Sequence, residues 1–260
     1  MQATLILAAT LLGAGNPPLE SVKPDTLKGF HDYVRERESA IERDRIRGER
    51  FLWVDESTGL LGRVKSGEVV IQPIEGKGII EIKGGLVHDW LGAAFIPNAT
   101  LSKVLALVKD YNNHKNIYPP EVVNSRILAQ QGDDYKIFLR LLKKKIITVV
   151  LDTYHDVHYS TLDPKRTYSR SITTQISEID GAGSAREREH PPGGGHGFLW
   201  KLNSYWRFQE RDGGVFIECE AISLTRPIPT GFGWLITPII RDLPKESLTN
   251  TLNSTRNAVR

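Results

Sequence analysis

Residues 197–229 read GFLWKLNSYWRFQERDGGVFIECEAISLTRPIP. The stretch contains two runs rich in β-branched and aromatic residues, 198–210 and 215–225, separated by residues 211–214 (RDGG). Asp-Gly and Gly-Gly pairs supply the positive φ angles that a tight β-turn requires. The stretch therefore predicts an antiparallel hairpin of two long strands.

The two predicted strands differ in the size of the side chains on their inner faces. Alternate residues of a strand point to opposite sides of a sheet, so residues of one parity share a face. Bulky residues dominate the even positions of the first strand, and small apolar residues occupy the odd positions of the second. We predict that both sets face inward and that Glu218 and Glu220 face solvent, which leaves room for a cavity over the small residues. The predicted inward set is Phe198, Trp200, Leu202, Ser204, Trp206 and Phe208 on the first strand, with Val215, Ile217, Cys219 and Ala221 on the second.

The segment before this hairpin predicts one strand, one helix and then several strands. Residues 85–96 form the first strand, and Thr100 is a plausible N-cap for a helix with an apolar stripe that starts at Leu101. Further β-like runs follow at residues 122–129, 135–142, 148–159 and 167–179.

After the hairpin, apolar residues spaced from Leu235 to Val259 predict a C-terminal helix that is interrupted at Pro244. This order of elements is α+β, with a curved antiparallel sheet that buries one face against the last helix. A strongly bent sheet cannot close perfectly against a helix, so we expect a deep cavity on its concave face. Residues 84–260 are thus predicted to form one domain.

Residues 25–83 are predicted to form an N-terminal extension, a helix followed by a hairpin. Residues 67–83 contain two short β-rich runs around residues 75–78 (EGKG), which is typical of a hairpin. Both faces of the strand at 85–96 are apolar, so we expect the extension to pack on the outer face of the sheet. The apolar stripe of the predicted helix is Leu27, Phe30, Val34 and Ile41.

Residues 1–24 are predicted to be a signal-like or disordered leader. The apolar residues 4–12 and the small residues after them resemble the h-region and cleavage zone of a secretory signal, although the positively charged n-region is missing. We therefore expect a secreted or periplasmic location slightly ahead of a cytoplasmic one. No apolar run reaches the length of about 20 residues that a membrane-spanning helix needs.

Composition excludes several classes of function. The chain has 260 residues with 34 Lys and Arg against 31 Asp and Glu, and this net charge of +3 is too weak to indicate a nucleic-acid partner. Cys219 is the only cysteine, so disulfides and CxxC metal or redox sites are excluded. Residues 143–145 (KKK) are the only purely basic cluster; a solvated sheet rim is the favoured interpretation, and transient contact with a membrane surface is the alternative.

Two polar residues are predicted to point into the cavity. On the strand at 148–159, Asp152 and Asp156 share one parity, which assigns His155 and Tyr159 to the inner face. The simpler alternative is that His155 only forms a hydrogen bond with a neighbour in the core and that the tryptophans are ordinary packing.

Three stretches resemble one known family. Residues 92–128, 197–229 and 231–248 are similar to the opening strand and helix, the last hairpin and the C-terminal helix of the START-like, or SRPBCC, superfamily with its helix-grip fold. The coenzyme-Q-binding, polyketide-cyclase-like branch is the most similar. The resemblance implies a cavity for a hydrophobic or amphipathic molecule such as a lipid, a quinone or a polyketide. Members include carriers, cyclases and hydrolases, so the fold does not decide the chemistry.

A search for catalytic or metal-binding patterns is mostly negative. His155 and His158 are three residues apart on one strand and therefore point to opposite faces. Residues 180–197, rich in Gly, Pro, Arg and Glu, are predicted to be a mobile loop near the mouth of the cavity. Its ionisable residues are interpreted as solvated charge, with metal binding or gating of the entrance as the alternative. These residues are Glu187, Glu189, His190 and His196.

The favoured function is binding of a hydrophobic or amphipathic small molecule, with no metal, no cofactor and no nucleic-acid partner. One alternative is a cyclase- or hydrolase-type enzyme in which His155 or Tyr159 acts as general acid or base. Another is an interaction domain without a ligand. The predicted cavity residues are His155, Tyr159, Trp200, Ser204, Trp206, Phe208, Ile217 and Cys219.

Overall fold

The hairpin at residues 197–229 lies in the middle of a large curved sheet. A computed structural model describes residues 19–144, 147–228, 230–231, 237 and 241–259. Strand β9 (Lys201–Arg211) pairs antiparallel with β10 (Gly214–Thr225), and Arg211 lies opposite Gly214 at the turn. Asp212 and Gly213 have φ angles of 57° and 77°, as the predicted turn requires.

The described residues form a 10-stranded sheet in which the paired strands are antiparallel. Its main path has the order β1-β3-β10-β9-β7-β6-β5-β4, while β2 pairs with β3 and β8 with β7. The other strands are β1 (Val70–Pro73), β2 (Ile79–Ile82), β3 (Gly85–Pro97), β4 (Val122–Gln131), β5 (Asp134–Lys144), β6 (Thr148–Asp163), β7 (Arg166–Asp180) and β8 (Arg188–Glu189).

The helices lie at the two ends of the chain and after β3. The α-helices are α1 (Pro24–Ile41), α2 (Thr58–Lys65), α3 (Leu101–Lys109), α4 (His114–Ile117) and α5 (Leu243–Val259), with a π-helical turn at Glu42–Ile46 and 3₁₀ turns at Trp53–Glu56 and Tyr111–Asn113. None of the helices in the described ranges is both long and apolar enough to cross a membrane. The apolar residues 4–12 of the predicted leader lie outside those ranges.

Helix α5 packs against the concave face of the sheet along β3 and β10. Pro244 lies in the first turn of α5, directly after the π-helical residues 241–242, so the regular α-helix begins at the predicted interruption. Leu235 and Ile239 lie outside the described residues. A cupped antiparallel sheet around a C-terminal helix is the predicted α+β, helix-grip arrangement, which is therefore confirmed.

A close approach between helix and sheet occurs at Gly92 in the middle of β3. A methyl group at Gly92 would lie 2.6 Å from Cδ1 of Leu252 and 3.3 Å from Cδ2 of Leu248, both on α5. Leu248 and Leu252 are buried there together with Ala94 and Ile217 of the sheet. The helix is thus seated over one side of the cup rather than over its centre.

The N-terminal segments cover the convex face of the same strands. Phe30 and Val34 of α1 pack with Val87 and Leu224. Residues 51–54 pack with Leu91, Ala93 and Phe95 of β3 in a second apolar cluster. Strand β3 is consequently buried on both faces, as its two apolar faces predict.

The prediction of a hairpin at residues 67–83 is wrong. β1 and β2 each pair with β3 and not with each other: Val70 lies opposite Ala93, and Ile79 lies opposite His88. β3 is 13 residues long, so its edge accommodates both short strands end to end. Backbone hydrogen bonds to one long partner replace those of an isolated hairpin, which would be marginal in water.

The prediction that Glu218 and Glu220 face solvent is also wrong, because the N-terminal segments bury that face. Glu218 accepts hydrogen bonds from the backbone N–H groups of Trp53 and Val54, both at 2.9 Å, and from Nε of Arg207 at 3.1 Å. Glu220 pairs with Arg37 at 2.9 Å. The carboxylates attach the extension to the sheet by charge-assisted hydrogen bonds.

Removal of the Glu218 carboxylate should be strongly destabilising. Glu218→Ala leaves the Arg207 guanidinium buried without its acidic partner, and loss of one partner of a buried pair costs about 3–5 kcal/mol. We expect urea unfolding, followed by circular dichroism, to show a loss of this size. Glu68→Ala removes the exposed pair with Arg63 and is the control, with no expected change in urea midpoint. Equal effects of the two substitutions would contradict the anchoring role of Glu218.

Candidate ligand-binding cavity

A cavity of about 280 Å³ lies between α5 and the concave strands β5, β6, β7, β9 and β10. Its walls are mainly apolar, with contributions from Ile137, Leu139, Leu151, Val157 and Leu202. Pockets for small molecules are typically about 300–1,000 Å³, so this space is just below that range and suits a small ligand.

Short side chains on the sheet create the floor of this cavity. Register places Val157, Ser171, Ser204 and Ala221 side by side on β6, β7, β9 and β10, and all four line the space. Strand pairing fixes this row, so the short side chains leave a transverse trough across four strands.

Short polar side chains also form the roof. Ser247, Thr251 and Ser254 line the cavity from α5 at spacings of four and three, so they share one face of the helix. Leu248 and Leu252 on the neighbouring face pack against the sheet around Gly92. The helix therefore reaches the sheet with its leucines and presents three short polar side chains to the cavity, beside Leu243, Leu248 and Asn250.

Aromatic side chains form one wall. Trp206 and Phe208 of β9 stack with ring centroids 5.6 Å apart and an interplanar angle of 2°. Both line the cavity, as does Cys219 on the adjacent strand β10. Burial raises the pKa of the Cys219 thiol, so this group stays uncharged at neutral pH.

Together with His114, His155 is one of two histidines among the described residues that line the cavity. Its Nε2 lies 3.1 Å from Oγ1 of Thr153, and its Nδ1 lies 3.5 Å from Oγ of Ser171. Burial lowers the pKa of His155 to about 4, because the charged form loses its hydration. At neutral pH His155 thus offers an uncharged hydrogen-bonding group.

A pair of tyrosines closes one end of the cavity. The hydroxyl oxygens of Tyr111 and Tyr159 are 2.8 Å apart, and Tyr159 also donates to the backbone oxygen of Val108 at 3.5 Å. Burial raises the pKa of both hydroxyls. Tyr159 is therefore held in a hydrogen-bonded cluster rather than extended into the space.

At the other end of the cavity, charged and polar groups attach α5 to the sheet. Lys143 of β5 pairs with Glu121 and donates to Oγ of Ser247 at 2.5 Å, while Asn250 donates to Glu121 at 2.9 Å. Burial lowers the pKa of Lys143. The interpretation of Lys143 as part of a solvated rim is wrong, because α5 covers it; Lys145 lies outside the described residues.

Six of the eight predicted cavity residues line the space, and their role toward a ligand stays a prediction. Trp200 does not line it: the ring packs on the convex face with Phe30 and Val87. β9 begins only at Lys201, so the rule that alternate side chains face opposite sides of the sheet does not hold for residues 198–200. Phe198 and Leu199 accordingly both line the cavity. Ile217 lies on the concave face, packed in the core outside the cavity. The six are His155, Tyr159, Ser204, Trp206, Phe208 and Cys219.

Sequence reasoning missed Ser169 and Ser171 of β7 and the short residues of α5. The parity rule applied to the run at 167–179 would have found the two serines, which alternate with exposed or half-buried residues. The α5 face required a different signal, the recurrence of Ser and Thr beside a leucine stripe.

The segment at 180–197 is only partly the solvated loop that was predicted. Glu189 is exposed, and Glu187 pairs with Arg140 at 3.1 Å at the surface. His190 and His196, however, are buried, since the segment folds back on β7 through β8. Their interpretation as solvated loop residues is wrong.

No protein-family model matches the chain, and no curated protein matches its sequence. Solved structures with a similar chain path include a fragment of a STAR-related lipid transfer protein from Xanthomonas axonopodis, at 16% identity, with 70% of this chain and 99% of that chain covered and a TM-score of 0.47. The lipid transfer and protein localization domain of human StarD13 has 8% identity, 80% and 98% coverage and a TM-score of 0.45. The Zhui aromatase/cyclase from Streptomyces has 13% identity, 66% and 93% coverage and a TM-score of 0.39. What this chain binds must follow from its own cavity.

The low pKa of His155 predicts a pH dependence of stability. An unfolded histidine takes up a proton near pH 6.5, whereas folded His155 does so near pH 4, so the free energy of unfolding falls as the pH falls through this window. His155→Gln should reduce this slope by up to about 1.4 kcal/mol per pH unit. Urea unfolding between pH 4.5 and 7 measures it. His114, also buried with a pKa of about 4, gives a companion variant with the same expected effect. An unchanged slope in His155→Gln would contradict the assignment.

Proposed function

We propose that this protein binds one hydrophobic or amphipathic small molecule in the cavity between α5 and the sheet. The observation that carries the proposal is the mainly apolar lining of a space of about 280 Å³ between α5 and the sheet. Apolar surface exposed to water is unfavourable. A ligand that covers these walls would remove that surface from water.

Burial of apolar surface supplies the affinity in this proposal. A ligand that buries about 300 Å² of apolar area would gain about 7.5 kcal/mol at about 25 cal/mol per Å², before the entropic cost of association. The walls that would receive it combine aliphatic residues of β5 and β6 with the stacked rings of Trp206 and Phe208.

Uncharged polar groups supply the orientation. His155, Ser171 and Ser204 line one part of the floor, and each offers a hydrogen bond without a formal charge. Among the described lining residues, the charged pair is Glu121 and Lys143, and these groups already contact each other and α5. The arrangement favours a ligand with a neutral oxygen function, such as a carbonyl or hydroxyl group, on an apolar body.

The geometry supports binding better than catalysis. His155 contacts the hydroxyls of Thr153 and Ser171, and its pKa of about 4 makes it a weak base at neutral pH. A cyclase or hydrolase mechanism would need a base with a pKa near the working pH. The enzyme alternative predicts loss of turnover in His155→Gln, whereas the binding proposal predicts only a modest change in affinity.

Filling the trough should abolish binding of an apolar probe. We expect wild-type protein to bind the neutral dye Nile red at one site, and Ser204→Phe and Ser171→Phe to weaken binding at least tenfold because the new rings occupy the space. Ser160→Phe, on the outer face of β6, is the matched control with unchanged affinity. Fluorescence titration gives the affinity, and circular dichroism checks that each variant is folded.

Two results would overturn the proposal. One is dye binding that both cavity variants leave unchanged, which would place the dye elsewhere. The other is native mass spectrometry of gently purified protein that shows no bound small molecule, together with no dye uptake by the wild type.

A further inference from the structure

A second cluster, separate from the cavity, brings together one carboxylate and two imidazoles. Asp180 is the last residue of β7, and Oδ2 of Asp180 lies 2.7 Å from Nε2 of His190. Oδ1 of Asp180 lies 3.7 Å from Nε2 of His196. One ligand atom from each of the three residues can be chosen so that all lie within 4.8 Å of one another.

Glu178 of β7 fixes the positions of both histidines. The N–H of His190 donates to the backbone oxygen of Glu178 at 2.8 Å, and the N–H of His196 donates to Oε2 of Glu178 at 2.6 Å. Oε1 of Glu178 accepts from the N–H of Phe198 at 2.8 Å. Gly195 has a φ of +96°, and a methyl group there would lie 2.6 Å from Oε2 of Glu178. The chain between the histidines therefore needs glycine to pass so close to Glu178.

The chain before α1 holds the same segment from the other side. The N–H groups of Glu20 and Val22 donate to the backbone oxygens of Gly195 and Gly193 at 2.7 and 2.9 Å. Nη1 of Arg226 donates to the backbone oxygen of His196 at 3.0 Å. These hydrogen bonds fix the backbone of residues 190–196, so the positions of both histidines do not depend on a bound ion.

The ligand set and spacing suit a transition-metal ion. Two imidazole nitrogens and one carboxylate oxygen are ligands of Zn²⁺, with bonds of about 2.0–2.2 Å. In a tetrahedral site such bonds place neighbouring ligand atoms about 3.3 Å apart. The 2.7 Å distance to His190 ends at Oδ2 of Asp180 and the 3.7 Å distance to His196 ends at Oδ1, while one atom from each residue lies within 4.8 Å of the others, so small side-chain rotations would complete the set. Arg188, at 3.4 Å from Oδ2 of Asp180, is exposed and free to turn toward solvent.

We propose that Asp180, His190 and His196 form a binding site for one divalent transition-metal ion, with zinc as the ion that best suits the ligands. The buried Glu178 carboxylate supports the site by fixing the backbone of His196. Asp180 is partly exposed, which leaves a fourth position open to water. The ring of His196 lies 5.6 Å from that of Phe198, which lines the cavity, so the ion would hold one end of the cavity wall in place.

Isothermal titration of the metal-stripped full chain with Zn²⁺ tests the site. We expect one equivalent to bind to the wild type, with affinity reduced at least tenfold in His190→Gln, His196→Gln and Asp180→Asn. His158→Gln is the matched control, because His158 also contacts an aspartate, Asp134 at 2.7 Å, but lies exposed on β6, and the described part of the chain brings no third ligand to this pair. Mg²⁺, which prefers oxygen ligands, should not compete.

Two further readouts keep the proposal testable if a variant fails to fold. Zn²⁺ should raise the melting temperature of the wild type and of His158→Gln. Co²⁺ should give a visible absorption band with wild-type protein that Zn²⁺ removes. The proposal is overturned if the wild type binds no Zn²⁺ at a saturable site, or if folded ligand variants bind it as well as the control. Neither readout depends on the dye, so this test and that of the cavity fail separately.

Discussion

The contact between α5 and β3 at Gly92 determines where empty space remains in the molecule. Because Gly92 has no side chain, Leu248 and Leu252 approach the backbone of β3 closely, and the helix is drawn to one side of the cup. Ser247, Thr251 and Ser254 of the helix then line the space over the centre of the cup, together with Leu243, Leu248 and Asn250. The side chains of Ser171 and Ser204, which lie opposite on the sheet, are also short. Neither the helix nor the sheet therefore fills the gap between them. The cavity is a consequence of seating the helix off centre.

The N-terminal segments cover the opposite face of the sheet at β3, β9 and β10, and the last two of these strands form half of the floor of the cavity. Apolar clusters from α1 and from residues 51–54 cover β3, β9 and β10, and the buried carboxylate of Glu218 links those residues to Arg207. This half of the floor is buried on both faces without a ligand. The cavity can therefore exist before a ligand enters, which lowers the cost of binding.

Local patterns in the sequence predicted the strands, the turn at Asp212 and the concave face of β9, because alternation and turn chemistry act over a few residues. They failed where distant segments decide the environment. Glu218 has the pattern of a solvent-facing residue, but the chain at residues 51–54 returns to cover it. His196 lies in a glycine-rich stretch typical of a loop, yet its backbone bonds to β7 bury it. Trp200 lies one residue before its strand, where parity does not yet apply.

Ligand binding in this cavity requires that the space between α5 and the trough is an apolar void. Xenon enters such voids and is visible by X-ray diffraction, whereas a well-packed or water-filled polar region does not take it up. Crystals pressurised with xenon should show an atom between Ser204 and Thr251, beside the rings of Trp206 and Phe208. A density map in which those rings fill the space, with no xenon next to them, would contradict the account.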